Sequence, residues 1–253
     1  VTLPVDDRHP ADSPLPEWMR PAAGIAALRA EVKRRAMASS PRLASGNFEA
    51  ISTADLQLLL SLYDELFFAR CFVTALEHPI RFRLSRAMRS AFGKTSYPAP
   101  RGPFTITIAA QALFENFRPG DRELREDGFP LKDRLDGLMI ILEHEIVHVI
   151  ESFFFGASSC RAARFAGLAG GLFGHTRFRG DFITRAERVF KEHGFKAGDS
   201  VEFEIEGRTW IGRITNINRY ATVMIEDPVT RERYKARVSF QYLRPAKPPA
   251  QPE

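Results

Sequence analysis

Cysteine is nearly missing from this chain: two in 253 residues, Cys71 and Cys160. Two cannot build a disulfide framework or a Cys-based structural zinc site, and the shortage points to a reduced, cytoplasmic compartment. A long apolar run is missing as well. The most apolar stretch, 138–155, is broken by Glu143, His144, Glu145, His148 and Glu151. A membrane helix needs about 20 consecutive apolar residues, so no membrane partner is expected. The first fifteen residues carry Asp6, Asp7, Arg8 and Asp12 and no apolar segment, so no secretory leader is expected there. Val1 stands where an initiator Met would, so a trimmed or a missing N-terminus is expected.

What remains is ordinary for a globular protein: 44% hydrophobic and 26% charged residues. The length suits one large domain, or a medium one plus a small one. Phe is over-used, at twenty-one copies, which predicts a Phe-rich core. The net charge is +5, and its distribution matters more than its size. Arg81, Arg83, Arg86, Arg89, Lys94 and Arg101 fall in a window without an acid. A second basic run holds Arg161, Arg164, Arg177, Arg179, Arg185, Arg188 and Lys191. Such clusters suit phosphates, and they suit a solvated surface equally well.

Periodicity divides the chain. Residues 1–45 read as a Pro- and Asp-rich tail followed by a helix over 16–39, with a linker near 39–46. Ser52 and Asp55 form a capping-box-like start to a helix over 52–70, whose stripe is Leu56, Leu59, Leu60, Tyr63, Leu66 and Phe67. Strands are predicted at 80–84, 93–96 and 104–108. Residues 118–130, charged and carrying Pro119-Gly120 and Gly128, read as a loop. The longest helix is predicted over 131–155. Small residues dominate 156–174, which leaves open a short helix plus loop or a mobile lid. A last helix is predicted over 179–193. From Lys196 the period becomes two, with turns between short runs, so 196–246 is predicted to be a small antiparallel β-barrel. Residues 247–253 form a Pro-rich tail.

One pattern carries chemistry: His144-Glu145-Ile146-Val147-His148. Two imidazoles four apart share one helix face and can grip one Zn²⁺, and the Glu beside them can reach an attacking water. With six histidines in the chain, chance supplies this pentapeptide roughly 0.01 times. The alternative is a buried helix with internally bonded histidines, at a cost of several kcal/mol in polar burial. A catalytic zinc needs a third protein ligand. Downstream stand His175, Asp181, Glu187 and His193, of which His175, after Gly174, is the first choice and Glu187 the second. Glu151 lies one turn beyond His148 and could orient a ligand. Tyr97 and Arg177 are candidates for stabilising an oxyanion. Cys160 reads as a small residue in a small-residue segment; a redox or zinc-masking thiol is the other option.

With these residues in place, 46–195 resembles the SprT-like metallopeptidase family. Leu62-Tyr63-Asp64-Glu65-Leu66-Phe67-Phe68 is similar to its first helix, and Phe82-Arg83-Leu84-Ser85 with Gly93-Lys94-Thr95 to its first strands. Phe104 to Ile108 is similar to the strand before the zinc helix, and His144-Glu145-x-x-His148 with Gly174-His175-x-x-Phe178 to the ligands and base. The chain departs from the family at Thr176, where a second Gly is usual, and in the longer gap between His148 and His175. It also lacks a Cys-rich element after the core. The resemblance implies an α+β, zincin-like core of helices on a small sheet, followed by the barrel. It implies one Zn²⁺ per chain on His144, His148 and His175, with Glu145 as base. The implied activity is endopeptidase cleavage of DNA-associated or DNA-crosslinked proteins, a DNA-repair role.

The barrel interleaves Trp210, Tyr220, Tyr234 and Tyr242 with Arg208, Arg213, Arg219, Arg231, Arg233 and Arg237. Stacking rings and cations suit single-stranded nucleic acid, and the segment resembles Tudor- or KOW-type barrels. Arg81, Arg83, Arg86, Arg89, Arg213 and Arg219 are therefore candidate DNA contacts. Two other readings stay open: a cytosolic zinc peptidase whose barrel recruits a non-DNA protein, and a nucleic-acid binder with a structural zinc.

Overall fold

The computed structural model describes residues 24–76, 78–86, 88, 91–97, 102–177 and 180–246. Arg89, Arg101, Phe178, Arg179, the tails expected at 1–15 and 247–253, and the first residues of the helix expected from 16 lie outside that set. The chain is mixed α+β. It divides into two compact units, one ending at Phe182 and the other beginning at Ile183.

The first unit opens with α1 (Ile25–Ser39), α2 (Thr53–Phe68) and α3 (Phe72–Ala75). At the start of α2 the Asp55 carboxylate accepts from the Ser52 N–H at 2.8 Å, and Leu56, Leu59, Leu60, Tyr63 and Phe67 are buried below it. The Phe excess goes largely into this core. Phe67, Phe68 and Tyr63 surround Phe173, with ring centroids 5.2–6.0 Å apart.

Three short strands follow: β1 (Arg81–Leu84), β2 (Gly93–Ser96) and β3 (Thr105–Ile108). Their order is β1-β3-β2, with β1 parallel and β2 antiparallel to β3. Ile106 and Ile108 are buried, as alternation demands. The outer strand β2 lies against a long helix, with the Thr95 hydroxyl 3.2 Å from the backbone oxygen of Glu145.

After α4 (Ala110–Glu115), the segment expected as a loop forms a hairpin of β4 (Leu124–Glu126) and β5 (Phe129–Leu131). Asp127 and Gly128 turn it, at φ 46° and 97°. Two left-handed residues in a two-residue loop are the type I′ hairpin, whose favoured sequence is Asp-Gly. Leu131, read as the start of the long helix, therefore belongs to β5.

That helix is α5 (Arg134–Phe155). Asp133 caps it by accepting from the Asp136 N–H at 2.9 Å, and Lys33 on α1 reaches both carboxylates at 2.6 Å. Five successive residues, Leu138, Met139, Ile140, Ile141 and Leu142, are buried, so α5 is covered on every side there and is the spine of the unit. Gly156 ends it at φ 74°. The small-residue segment resolves into a connection over 157–162 and α6 (Ala163–Phe173).

The second unit starts with α7 (Arg185–His193), inside the 46–195 segment expected to be the metallopeptidase core. Val189 explains the difference: it is buried with Phe195, Val201, Phe203, Ile214, Val223 and Ile225 of the second unit. Strands β6 (Ser200–Ile205), β7 (Arg208–Ile217), β8 (Ala221–Glu226), β9 (Arg233–Val238) and β10 (Arg244–Pro245) pair in the order β10-β6-β7-β8-β9. Among the described residues no ladder joins β9 to β10, so the expected barrel is an open antiparallel sheet. Its last strand has only two residues, and Pro245 has no N–H to extend a ladder.

Candidate metal centre

The middle of α5 projects Glu143, His144, Glu145, His148 and Glu151 within three turns. The rings of His144 and His148 are 5.0 Å apart, centroid to centroid. Both lean on Phe165 of α6, at 4.9 and 4.5 Å, which fixes their planes by packing.

Each ring is also held through Nδ1. His144 Nδ1 lies 2.8 Å from Asp127 Oδ2, so the hairpin turn supplies its partner. His148 Nδ1 lies 2.6 Å from the Ser158 hydroxyl, which donates to Glu151 at 2.5 Å. With Nδ1 so engaged, Nε2 is the nitrogen each ring would present to a metal. Outer partners of this kind fix tautomer and orientation in histidine metal sites. Burial, with the adjacent His144 ring, pushes His148 down to about 4, so it is neutral at pH 7, as a ligand must be. Burial would raise Asp127, but the His144 bond and the His175 ring beside it outweigh it and hold the carboxylate ionised.

Glu145 turns toward the sheet. It is 3% exposed, and its Oε2 accepts from the Thr95 hydroxyl on β2 at 2.7 Å. Gly93 lies against the same carboxylate with no room for a Cβ, so only glycine lets β2 come this close. Burial raises the Glu145 pKa above the usual carboxylate value.

His175, the expected third ligand, follows α6 and sits elsewhere. Its Nε2 is 2.8 Å from Glu143 Oε2, and its Nδ1 is 3.1 Å from Asp127 Oδ2, poorly aligned for a hydrogen bond. Arg29 grips Glu143 through two 2.7 Å bonds, and the Tyr63 hydroxyl adds a third at 2.7 Å. Ligand atoms of His144, His148 and Cys160 lie within 4.8 Å of one another, and so do those of Asp127, His144 and His175. His148 and His175 do not share such a group among the described residues.

The other expected residues fall as follows. Glu187 lies in the second unit, where its carboxylate completes the α7 capping box with Thr184. Tyr97 is exposed and donates to the Gly156 oxygen at 3.1 Å, and Arg177 is exposed. Arg81, Arg83 and Arg86 are exposed on and just after β1, and Arg213 and Arg219 are exposed in the second unit. Sequence reasoning missed Asp127, Ser158 and Glu143 as partners of the histidines. Only Asp127 carried a signal, the Asp-Gly turn pair. No helix is long and apolar enough to cross a membrane among the described residues. No family model, curated protein or solved structure matches the chain.

Proposed function

We propose that the first unit is a zinc-dependent endopeptidase of the SprT-like, zincin type, and that its substrates are proteins associated with or crosslinked to DNA. The observation that supports the chemistry is the pair His144 and His148, each anchored through Nδ1, on the helix that also carries the buried carboxylate of Glu145. This donor set fits zinc: two imidazoles held through Nδ1, with Nε2 left for a metal, and a general base beside them. A bound Zn²⁺ would supply Lewis-acid polarisation of a water and of the scissile carbonyl.

The chain's own residues then have definite tasks. Glu145 takes the proton of the attacking water and returns it to the leaving amine, and its raised pKa brings it closer to neutral pH for that exchange. Thr95 holds one oxygen of that carboxylate, leaving the other for the proton. The strand β2 is the edge of its sheet, so its unpaired backbone groups can take an extended substrate as an added strand. The DNA part of the reading draws on the exposed Arg81, Arg83 and Arg86 and on the cationic face of the second unit.

The test is cleavage of a model DNA-crosslinked protein by the zinc-loaded chain, with and without DNA. Cleavage should require zinc, rise with DNA, and vanish in Glu145→Gln while zinc content is kept. Cleavage by Glu145→Gln at the parent rate would remove Glu145 as the base. Equal rates with and without DNA would leave a peptidase with some other protein target.

A further inference from the structure

We propose that Cys160, and not His175, is the third protein ligand of this metal centre. The proposal rests on the reading of His144 and His148 as metal ligands, and it changes the chemistry of the site from three imidazoles to two imidazoles and a thiolate.

Proximity is the first observation. Cys160 offers its sulfur within 4.8 Å of ligand atoms of both histidines. Tetrahedral zinc with Zn–N of about 2.0–2.1 Å and Zn–S of about 2.3 Å sets its donors about 3.3–3.6 Å apart, so a small inward shift completes the set.

The second observation is that the loop carrying Cys160 is built onto the metal helix. Glu151, fully buried one turn after His148, accepts from the Ser158 hydroxyl at 2.5 Å and the Ser159 N–H at 3.0 Å. Its other oxygen accepts from Arg164 at 2.9 Å, and Arg164 also holds the Ala157 oxygen at 3.3 Å. Ser159 then closes a turn around Cys160 onto the Ala162 N–H at 2.9 Å. One carboxylate therefore orients His148, through Ser158, and anchors the strand of loop that delivers the thiol.

The third observation concerns the competitor. His175 is sealed from solvent with both nitrogens toward carboxylates, Glu143 and Asp127. Swinging it to the metal would break the Glu143 pair and leave a buried charge with one partner fewer. A metal on Asp127, His144 and His175 would displace the proton shared by Asp127 and His144 and would leave His148 out. A His₂Cys set keeps both α5 histidines and leaves a fourth position open, the count of a catalytic site.

The experiment uses the full chain and two metals, Zn²⁺ and Co²⁺. The parent should bind one equivalent, and its Co²⁺ form should show a near-ultraviolet sulfur-to-cobalt charge-transfer band. Cys160→Ala should lose the band and weaken Zn²⁺ by more than about 100-fold, beyond the 10–100-fold typical of losing an outer hydrogen bond. His175→Ala should keep the band. In a Cys71→Ser background, which leaves one thiol, Zn²⁺ should protect Cys160 from iodoacetamide. This last measurement needs no change at the site, so it stands if a variant folds poorly. Metal uptake without the band, or alkylation at the metal-free rate, overturns the proposal and leaves the histidine pair intact as ligands. No metal uptake at all by the parent overturns both readings.

Discussion

Glu143 and His175 form an ion pair with neither side chain exposed: Oε2 and Nε2 are 2.8 Å apart. Arg29 from α1 and Tyr63 from α2 fill the remaining acceptor positions of Glu143. Arg29 also donates to the Phe173 oxygen at 2.6 Å. The pair thus ties α1, α2 and α5 to the segment after α6, immediately behind His144.

Removing one member should therefore be expensive. Glu143→Ala leaves Arg29 and His175 facing an apolar gap, and breaking such a buried pair costs about 3–5 kcal/mol. Urea denaturation of parent and variant measures it. A loss below about 1 kcal/mol would show that the network contributes orientation and not stability.

The same pair predicts a pH dependence. Burial alone would lower His175, but the carboxylates of Asp127 and Glu143 beside it win and raise it from the usual histidine value of about 6.5 to about 8. A raised folded pKa stabilises fully below the unfolded value and is lost as pH climbs through the folded one. At about 1.4 kcal/mol per unit, His175 should account for a loss of roughly 2 kcal/mol in the metal-free protein between pH 6 and 9, on top of the loss from buried Glu126, which is also pushed up to about 8. Denaturation across that window should show the slope in the parent, and His175→Asn should flatten it by the same amount. An unchanged slope in His175→Asn would mean that His175 titrates alike in the folded and unfolded chain.

Asp127 connects this network to the metal helix. Asp127→Asn keeps a residue that tolerates the φ of 46° but removes the anionic acceptor of His144. Zinc affinity should fall about 10–100-fold while the fold persists. Competition with a chelator gives the number, and circular dichroism controls for folding.

What was legible in the sequence was local. The α5 motif and the Ser52–Asp55 cap depend on residues three or four apart, and both appear where the spacing puts them. The strands of the second unit follow from alternation, but closure depends on whether β9 meets β10, which no local pattern records. The β4–β5 hairpin was hidden by charge and by Pro130 within a strand, although Asp127-Gly128 marked its turn. His175 sits next to Gly174 as a ligand would, yet its partner is Glu143, thirty-two positions earlier. Helical spacing puts Glu143 on α5; which neighbour it meets is decided by the packing of α6.

In the ladders of the second unit, Arg213 on β7 stands opposite Met224 on β8, and Met224 stands opposite Lys235 on β9. Directly paired residues share a face, so Arg213 and Lys235 flank Met224 on the side away from Val223 and Ile225. Arg237, opposite Thr222, adds a third cation to that side. All three are exposed, so phosphates could reach them. If this face carries the DNA affinity, reversing Arg213 and Lys235 to Glu should weaken DNA binding strongly. Each lost phosphate contact also lowers the slope of log affinity against log salt, by about 0.9 on duplex and 0.7 on single strands. The double variant should therefore lose about 1.4–1.8 from the slope, and its zinc content should not change, because every proposed ligand lies in the first unit. Fluorescence anisotropy of labelled duplex and single-stranded DNA over a salt series reads both quantities. A parent with no salt-dependent binding, or a double variant with an unchanged slope, would move DNA recognition away from this sheet.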